Sequence, residues 1–496
     1  MKLDVDLQAI QEVRDCLHEA KAAQKQYESM TQLQVDGIVQ AMAAAAEEHA
    51  ERLGRLAVEE TGFGNIQDKK AKNLFVARNV YEAIRDVKTV GIISKDEERR
   101  VWEVAQPVGV VAAIVPSTNP TSTVIFKSMI ALKTRNAVVI SPHPAALQCS
   151  QEATKLMRQA AEQAGAPPGL IHCLSYPSVE ASKELMRHKL TDVILATGGS
   201  TMVKAAYRSG KPAYGVGPGN VPVFVHHSAN IAHAASRIVQ SKTFDYGTIC
   251  ASEQAIVVER KVKSRLVDEL KRQGAYMLSE QEKQKVASVM MSANGGKSLN
   301  PKIVGKSPQV LAELAGISIP QHATLLIAEE TNVGLQYPLS VEKLTPILAL
   351  YTVDDWQEGI SLCTQLLELG GLGHTLGIHC EDERIIEAFG LELPASRIIV
   401  NAGTTFGGIG ATTGIQPSMT LGCGSLGHNI TSDNIGPQHL MNVKRVAFGI
   451  REMIALEPES NDRSLLAEQI AGSLTVGISR EEVLAIVKSV LSEMKL

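Results

Sequence analysis

The sequence lacks the features that would place the protein in an oxidising compartment or in a membrane. It has seven cysteines, all well separated, with no Cys-x-x-Cys pair and no cysteine–histidine spacing typical of zinc ligands. This pattern argues against a disulfide framework and a zinc site, so we predict no bound metal. No apolar run approaches the ~20 residues that span a bilayer, and the N-terminus lacks the basic start and apolar core of a signal peptide. We therefore expect a cytoplasmic protein with no membrane partner.

The sequence also has little net charge and few aromatic residues. Charged residues make up 21% of the chain and the formal net charge is -4, so we expect no nucleic-acid partner. Aromatic residues account for 4%, which favours a ligand pocket without bulky walls. Hydrophobic residues make up 44% of the 496 positions, which predicts a globular protein of two or three domains with a large core.

Continuous apolar strands alternate with helices in the first half of the chain. Two such strands, 108–115 and 137–142, are each followed by a turn and a helix, and a third, 192–196, leads into a glycine-rich turn at 197–201. Strands that are apolar throughout are typical of a parallel sheet covered on both faces, as in nucleotide-binding domains. The glycine-rich turn leaves room for a cofactor, although without a G-x-G-x-x-G motif it is also compatible with an ordinary tight turn.

Cys250 lies in a segment that favours a presented nucleophile. Gly247 and small or apolar neighbours allow a substrate to approach the backbone, and the apolar run 255–258 predicts a buried strand that holds the loop. A thiol attacks a carbonyl, persists as a thioester and then leaves easily. Most isolated cysteines are small buried hydrophobes, so this segment alone does not establish catalysis. The strand–helix alternation continues over 226–410 and predicts a second α/β domain that carries Cys250.

The two ends of the chain have patterns of their own. Residues 7–60 have helical spacing, and the alternation over 99–104 predicts an exposed strand, part of a hairpin that pairs with another subunit. Near the C-terminus, a capping box of Ser479 and Glu482 begins a helix with one apolar stripe, formed by residues 483, 486, 487, 490, 491 and 494. Such a helix either docks on its own protein or binds the groove of a partner.

Taken in order, the segments from about residue 7 to residue 450 resemble the aldehyde dehydrogenase superfamily, and within it the CoA-acylating acetaldehyde and propionaldehyde dehydrogenases. The turn 116–120, Pro-Ser-Thr-Asn-Pro, resembles the family's Pro-Trp-Asn-Phe-Pro, which implies that Asn119 belongs to the oxyanion hole. Glu342, four residues before Pro346, matches the glutamate that holds the nicotinamide ribose, and the catalytic cysteine falls on Cys250. The cofactor-binding residues implied are Pro116, Ser117, Thr118, Ser141, Pro142, His143, Thr197, Gly198, Gly199, Ser200, Gly217 and Glu342.

Two departures separate the chain from the hydrolytic branch of the family. Hydrolytic members have a water-activating glutamate in Glu-Leu-Gly-Gly-Lys, but the matching residue here is Val216, which cannot act as a base. General-base help is typically worth 10²–10⁴-fold, and a CoA thiol, being the better nucleophile, needs less of it than water does. The Lys-Pro-Ser-Glu segment that contacts the adenosine ribose is replaced by Ser-Pro-His-Pro at 141–144, so the cofactor must be held differently.

The resemblance implies an α/β, aldehyde dehydrogenase-like fold. It would combine a Rossmann-type domain for NAD and CoA (1–225), a catalytic domain (226–412) and a return to the cofactor and oligomerisation region (413–456), with a β-hairpin oligomerisation element whose strand lies near 97–106. A linker (457–478) and the amphipathic helix (479–496) would follow. This helix resembles the encapsulation peptides that direct enzymes into bacterial microcompartments; the alternative is a helix packed on its own domain.

The implied activity is NAD-dependent, CoA-acylating oxidation of acetaldehyde or propionaldehyde through a thioester on Cys250, by a homo-dimer or homo-tetramer located in a microcompartment. The preference for NAD over NADP comes from the family alone. Two alternatives stay open: a hydrolytic aldehyde dehydrogenase with another base, and a non-catalytic scaffold protein of a compartment. Four histidines, His143, His374, His379 and His428, do not have a ligand spacing, and we interpret them as structural or close to CoA.

Overall fold

The structure is a computed structural model that describes residues 4–291, 299–453, 477 and 479–493. The chain divides into two compact units, residues 1–94 with 103–445 and residues 95–102 with 446–496. Among the described residues, none of the helices is long and apolar enough to cross a membrane. The predicted linker 457–478 lies, apart from Gly477, outside the described residues.

The helices lie before, between and after the strands. In chain order they are α1 (Val5–Tyr27), α2 (Gln32–Glu48), α3 (Ala50–Thr61), α4 (Ile66–Phe75), α5 (Tyr81–Ile84), α6 (Pro120–Lys133), α7 (Leu147–Gln163), α8 (Val179–Arg187), α9 (Ser200–Tyr207), α10 (Ile231–Thr243), α11 (Arg260–Arg272), α12 (Glu280–Met290), α13 (Pro308–Ala315), α14 (Trp356–Leu369), α15 (Glu383–Glu392), α16 (Thr404–Gly408) and α17 (Arg480–Glu493). A π-helical turn over Val76–Val80 joins α4 to α5.

In the described part of the chain, the strands form three sheets. They are β1 (Gly91–Asp96), β2 (Val101–Pro107), β3 (Val110–Val115), β4 (Ala137–Pro142), β5 (Ile171–Cys173), β6 (Val193–Thr197), β7 (Ala213–Val216), β8 (Val221–Val225), β9 (Glu253–Glu259), β10 (Ala275–Met277), β11 (Leu325–Glu329), β12 (Ile347–Val353), β13 (Gly373–His379), β14 (Ala395–Val400) and β15 (Met441–Ala447). The sheet orders are β5-β4-β3-β6-β7, β10-β11-β12-β9-β8-β13-β14 and β1-β2-β15.

The five-stranded sheet is parallel throughout. Every residue of β3 and β4 is buried, which explains why these strands are apolar without alternation. Lys127, on α6, is buried beside them and donates to the carbonyls of Ile114 at 2.6 Å and Leu195 at 2.9 Å. These bonds join the carboxyl ends of β3 and β6, from which two loops of the candidate site emerge.

The seven-stranded sheet is also parallel throughout, and β9 lies at its centre between β12 and β8. All seven residues of β9 are buried. The predicted α/β fold with parallel sheets is therefore confirmed, whereas the predicted domain boundaries stay a prediction.

The two predicted peripheral elements are present. The predicted strand near 97–106 corresponds to β2, which begins at Val101, and β2 lies between β1 and β15 in the three-stranded sheet. The C-terminal helix begins at Arg480, one residue after Ser479, whose Oγ lies 2.9 Å from Glu482 Oε2 and accepts the Glu482 N–H at 3.3 Å in the predicted capping box. Its Ile486 and Val490 side chains are exposed.

Candidate active site

One cavity of about 530 Å³ gathers the predicted site residues. Loops that follow β3, β4 and β6 line one part of it, and loops that precede β8, β9 and β12 line another. The exception is Ser200, the first residue of α9, which is exposed and does not line the cavity. The predicted residues that do line it are Pro116, Ser117, Thr118, Asn119, Ser141, Pro142, His143, Thr197, Gly198, Gly199, Gly217, Cys250 and Glu342.

Asn119 presents its side-chain amide from the turn between β3 and α6. It is the residue before Pro120, the first residue of α6, but its side chain does not cap the helix. The amide Nδ2 lies 3.4 Å from the Thr248 carbonyl, in the loop that carries Cys250. Its Oδ1 accepts a hydrogen bond from Lys72 Nζ at 2.5 Å. Because the oxygen is occupied, the nitrogen is the end of the amide that faces the Cys250 loop.

A buried ionic cluster behind Asn119 was not predicted from the sequence. Lys69 and Lys72, one turn apart on α4, both contact the Asp245 carboxylate, Lys69 at 2.6 Å, and Thr248 donates to the same oxygen at 2.6 Å. Both lysines are 2% exposed and Asp245 is fully buried. Burial raises the pKa of Asp245, but the two ammonium groups outweigh it and hold that pKa below its usual value. The carboxylate is therefore ionised at neutral pH.

The cluster constrains the backbone that leads to Cys250. Asp245 and Tyr246 adopt left-handed φ values of 49° and 51°, which are uncommon for residues other than glycine. Gly64, at φ +74°, approaches so closely that an added Cβ would lie 1.8 Å from Asp245 Oδ1. The loop conformation is thus fixed by contacts with a distant part of the chain.

The Cys250 thiol is protonated in the ligand-free protein. Burial, together with the nearby Glu342 and Cys423, raises the pKa of Cys250 to about 12, against the opposing effect of Arg397. A thiol with this pKa must lose its proton as it attacks, since the thiolate is the nucleophile. Gly219 packs so tightly on the Cys250 carbonyl that an added Cβ would lie 2.5 Å from its oxygen.

Glu342 is the only carboxylate among the described residues that line the cavity. Its Oε1 accepts the Gly219 N–H at 3.0 Å. Burial raises the pKa of Glu342 to about 7, against the opposing effects of that hydrogen bond and of Lys242 and Lys343. A carboxylate with a pKa near neutrality is suited to accept a proton at the operating pH.

The glycine-rich turn has room for a ligand. An added Cβ at Gly199 or Gly217 would meet nothing within 4 Å. Thr197 Oγ1 is buried and has no hydrogen-bond partner among the described residues. A buried hydroxyl without a partner costs free energy, so a polar ligand in the turn would satisfy it. This observation fits the predicted binding of a dinucleotide.

The four histidines that we interpreted as structural or close to CoA have different environments. His143 lines the cavity, and its Nδ1 accepts the Ala145 N–H at 3.1 Å. His374 and His379 are buried, and burial lowers the pKa of His374 to about 3 and of His379 to about 4, so both rings are neutral. His428 ends a 3-10 turn at a left-handed φ of 56°.

The comparison that decides the family covers more than half of the chain. The family model described as the aldehyde dehydrogenase family matches residues 3–294. The chain belongs to the aldehyde dehydrogenase family. It is similar to an acetylating aldehyde dehydrogenase of Geobacillus thermoglucosidasius, with 66% identity and a TM-score of 0.90 over 91% of this chain and 99% of that one.

Two further relatives of this aldehyde dehydrogenase family member are informative, one for its greater length and the other for the CoA bound to it. The bifunctional aldehyde-alcohol dehydrogenase AdhE of Escherichia coli is 43% identical over 450 residues, which are 90% of this chain and 50% of that protein. The chain thus spans about half the length of that relative. A propionaldehyde dehydrogenase of Rhodopseudomonas palustris, with bound CoA and an acylated cysteine, is 30% identical, with a TM-score of 0.79 over 88% of this chain and 97% of that one. The predicted resemblance to the CoA-acylating branch is confirmed.

Proposed function

We propose that the protein oxidises a short aldehyde, acetaldehyde or propionaldehyde, to its acyl-CoA, with NAD+ as the electron acceptor. The single observation that carries the proposal is one cavity that holds Cys250, the Asn119 amide and Glu342, with Val216 where a hydrolytic enzyme has its base. The names of the Geobacillus and R. palustris enzymes, acetylating and CoA-bound, support this choice of acyl acceptor.

The first step forms a bond between Cys250 Sγ and the aldehyde carbon. We assign the thiol proton to Glu342, since its pKa of about 7 lets it accept the proton at neutral pH. The carbonyl oxygen becomes an alkoxide, and the Asn119 amide and the Cys250 N–H donate to it. Each donor of such an oxyanion hole is worth about 10²–10³-fold in rate.

The second step leaves an acyl group on Cys250 as a thioester. Bound NAD+ would supply the acceptor for the hydride, and CoA the thiol that removes the acyl group. Thr197, Gly198 and Gly199 would hold the dinucleotide, and Glu342, once it has passed the thiol proton to solvent, would accept a hydrogen bond from the ribose. Val216 is buried and lines the cavity, so it excludes a carboxylate from the place where hydrolytic enzymes activate water. The thioester therefore survives until a thiol arrives.

The test is NADH formation from acetaldehyde and from propionaldehyde, with and without CoA. Without CoA we expect a burst of about one NADH per Cys250, after which NADH formation stops because the acyl-enzyme accumulates. With CoA we expect continuous turnover and acyl-CoA as the product. Full-rate NADH formation without CoA, with free acid as the product, would support the hydrolytic alternative, in which Glu342 is the remaining base.

Two variants check the nucleophile. Cys250→Ala should remove both the burst and the turnover, whereas Cys16→Ala, at a half-buried position on α1, should keep both. A Cys250→Ala enzyme that still forms NADH would overturn the assignment. Loss of both phases in each variant would indicate a folding defect, which circular dichroism would detect.

The finer predictions concern assembly and location. We propose a homo-oligomer that uses the three-stranded sheet, and a microcompartment location that uses α17. The support for the second proposal is the capping box at Ser479 and the exposed apolar residues Ile486 and Val490. The similarity to the Geobacillus enzyme and to AdhE does not support a microcompartment location.

A further inference from the structure

His226, His227 and Glu259 form a cluster at the carboxyl ends of two neighbouring strands. The two histidines follow β8 directly and Glu259 ends β9, and the pairing of Val225 with Val258 brings these ends together. One ligand atom from each of the three side chains lies within 4.8 Å of the others. His226 and Glu259 are 3% and 2% exposed, whereas His227 is 46% exposed.

Two contacts bear on which ring nitrogen of His226 carries the proton. His226 Nδ1 lies 2.8 Å from Ser228 Oγ. The same hydroxyl oxygen accepts the Glu381 N–H at 2.9 Å. Cys380 Sγ, 3.6 Å away, can accept the hydroxyl proton of Ser228. A proton on Nδ1 completes this network. The Ser228 N–H, however, donates to Nδ1 at 3.2 Å and favours the other tautomer, so a metal ion on Nε2 requires the proton to move to Nδ1 and this contact to be lost. A metal-bound histidine is typically oriented in this way, through its second ring nitrogen.

With the proton on Nδ1, His226 has a lone pair on Nε2 that faces a carboxylate. Nε2 is buried, has no hydrogen-bond partner among the described residues, and lies 3.5 Å from Glu259 Oε1. Two electron-rich atoms in this arrangement repel each other unless a cation lies between them.

Contrary to the expectation from the cysteine pattern that no metal is bound, we propose that His226 Nε2, His227 Nδ1 and a Glu259 carboxylate oxygen bind one divalent transition-metal ion of the zinc class. Two imidazoles and one carboxylate are a ligand set that Zn²⁺ commonly has, with solvent at the fourth position. Bonds of about 2.0–2.1 Å in a tetrahedral site place ligand atoms about 3.4 Å apart, which the 3.5 Å separation of His226 Nε2 and Glu259 Oε1 matches.

The remaining pair must open to admit the ion. His227 Nδ1 lies 2.5 Å from Glu259 Oε2. Because the His227 ring is half-exposed, it can move outwards while its proton passes from Nδ1 to the other ring nitrogen. The backbone N–H of His227, which donates to Glu259 Oε2 at 2.9 Å, does not depend on the position of the ring and continues to hold the carboxylate in place.

The ion would not take part in the reaction at Cys250. β9 has seven residues and therefore spans roughly 20 Å, with the Cys250 loop before its first residue and Glu259 as its last. The proposed ion would join the carboxyl ends of β8 and β9 and would stabilise the seven-stranded sheet.

The test uses full-length protein freed of metal with a chelator, in a Cys250→Ser background so that the active-site thiol cannot bind the probe. Zn²⁺ binding is measured by calorimetry, and Co²⁺ is added as a spectroscopic probe. We expect about one ion per chain, visible Co²⁺ bands without the charge-transfer band of a thiolate ligand, and a higher unfolding temperature with Zn²⁺.

Three variants make the assignment specific. His227→Ala removes a half-exposed ligand without opening the core, and Glu259→Gln keeps the shape of the carboxylate. Each should weaken Zn²⁺ binding by at least about 100-fold, because loss of a supporting residue alone costs 10–100-fold. His322→Ala, an exposed histidine elsewhere, is the matched control and should bind as before. No binding, a thiolate band, or binding that His227→Ala leaves unchanged would overturn the proposal.

Discussion

Lys72 and Asn119 are 47 positions apart in the chain, yet Lys72 Nζ lies 2.5 Å from Asn119 Oδ1. This contact decides which end of the amide faces the Cys250 loop. Lys72 touches neither the thiol nor the aldehyde in the proposed mechanism, so it is a positioning residue. Its effect on the rate should therefore pass through Asn119.

We expect Lys72→Met to lower kcat by about 10–100-fold with a smaller change in KM, as part of the 10²–10³-fold effect of the Asn119 donor. Lys70→Met is the matched control, because Lys70 is on the same helix and contacts Glu51 at the surface. In an Asn119→Ala background, Lys72→Met should lower kcat little further. Additive losses in the double variant, measured by steady-state kinetics, would contradict a role through Asn119.

The sequence predicted three residues that line the cavity but not the cluster behind them. Cys250, Asn119 and Glu342 each occupy a position that matches a family motif, and all three line one cavity. Lys69 and Lys72 belong to a charged run that is typical of a solvated helix face. Only the packing of α4 against the Asp245 loop separates them from the half-exposed Lys70, and this packing has no local signal in the sequence. Their i, i+3 spacing was the one available indication.

At the scale of elements, buried strands were the most predictable part of the fold. The predicted strands 108–115 and 192–196 correspond to β3 and β6 to within two residues at each end. Their apolar runs are continuous because both faces of the parallel sheet are covered. The turn at Asp245 and Tyr246 could not be predicted, because tyrosine rarely adopts a left-handed φ and the lysines that contact Asp245 are distant in the sequence.

The C-terminal helix α17 carries a prediction at this scale. If it is an encapsulation peptide, a fluorescent protein fused to residues 477–496 should form foci when expressed with the shell proteins of a bacterial microcompartment. Ile486→Glu should disperse the foci, because it places a charge in the exposed apolar stripe. Lys488→Glu changes an exposed position outside the stripe and should leave them intact. Diffuse fluorescence from the unchanged fusion, seen by microscopy, would exclude this role.

At the scale of the molecule, the site depends on how two sheets are placed within one compact unit. The turn with Asn119 and the glycine-rich turn follow strands of the five-stranded sheet, whereas the Cys250 loop and Glu342 precede strands of the seven-stranded sheet. No single segment of the sequence predicts that these loops meet. The prediction that they form one site came from the resemblance to the family. The consequence of this arrangement is a carboxylate, Glu342, that is largely removed from solvent where two sets of loops meet but still lines the cavity.

This burial makes the stability of the whole molecule depend on pH. The pKa of Glu342 rises from 4.5 to about 7 on folding, so the folded state binds the proton more tightly than the unfolded state. The contribution of this proton to the free energy of unfolding is complete below pH 4.5 and is lost as the pH rises through 7. Glu342→Gln cannot ionise, so its unfolding temperature relative to the wild type should rise between pH 5 and pH 8.

The expected gain at pH 8 is about 1–3 kcal/mol, less than the full pKa shift implies because the side chain is partly open to the cavity. Thermal unfolding of the ligand-free protein at a series of pH values measures it. Glu313→Gln, at an exposed position on α13, should show no pH-dependent difference from the wild type and controls for the loss of one negative charge. A constant difference between Glu342→Gln and the wild type over this range would mean that Glu342 is ionised in the folded protein at pH 5. It would then already be a carboxylate before the aldehyde binds, and its assignment as the proton acceptor would no longer depend on a raised pKa.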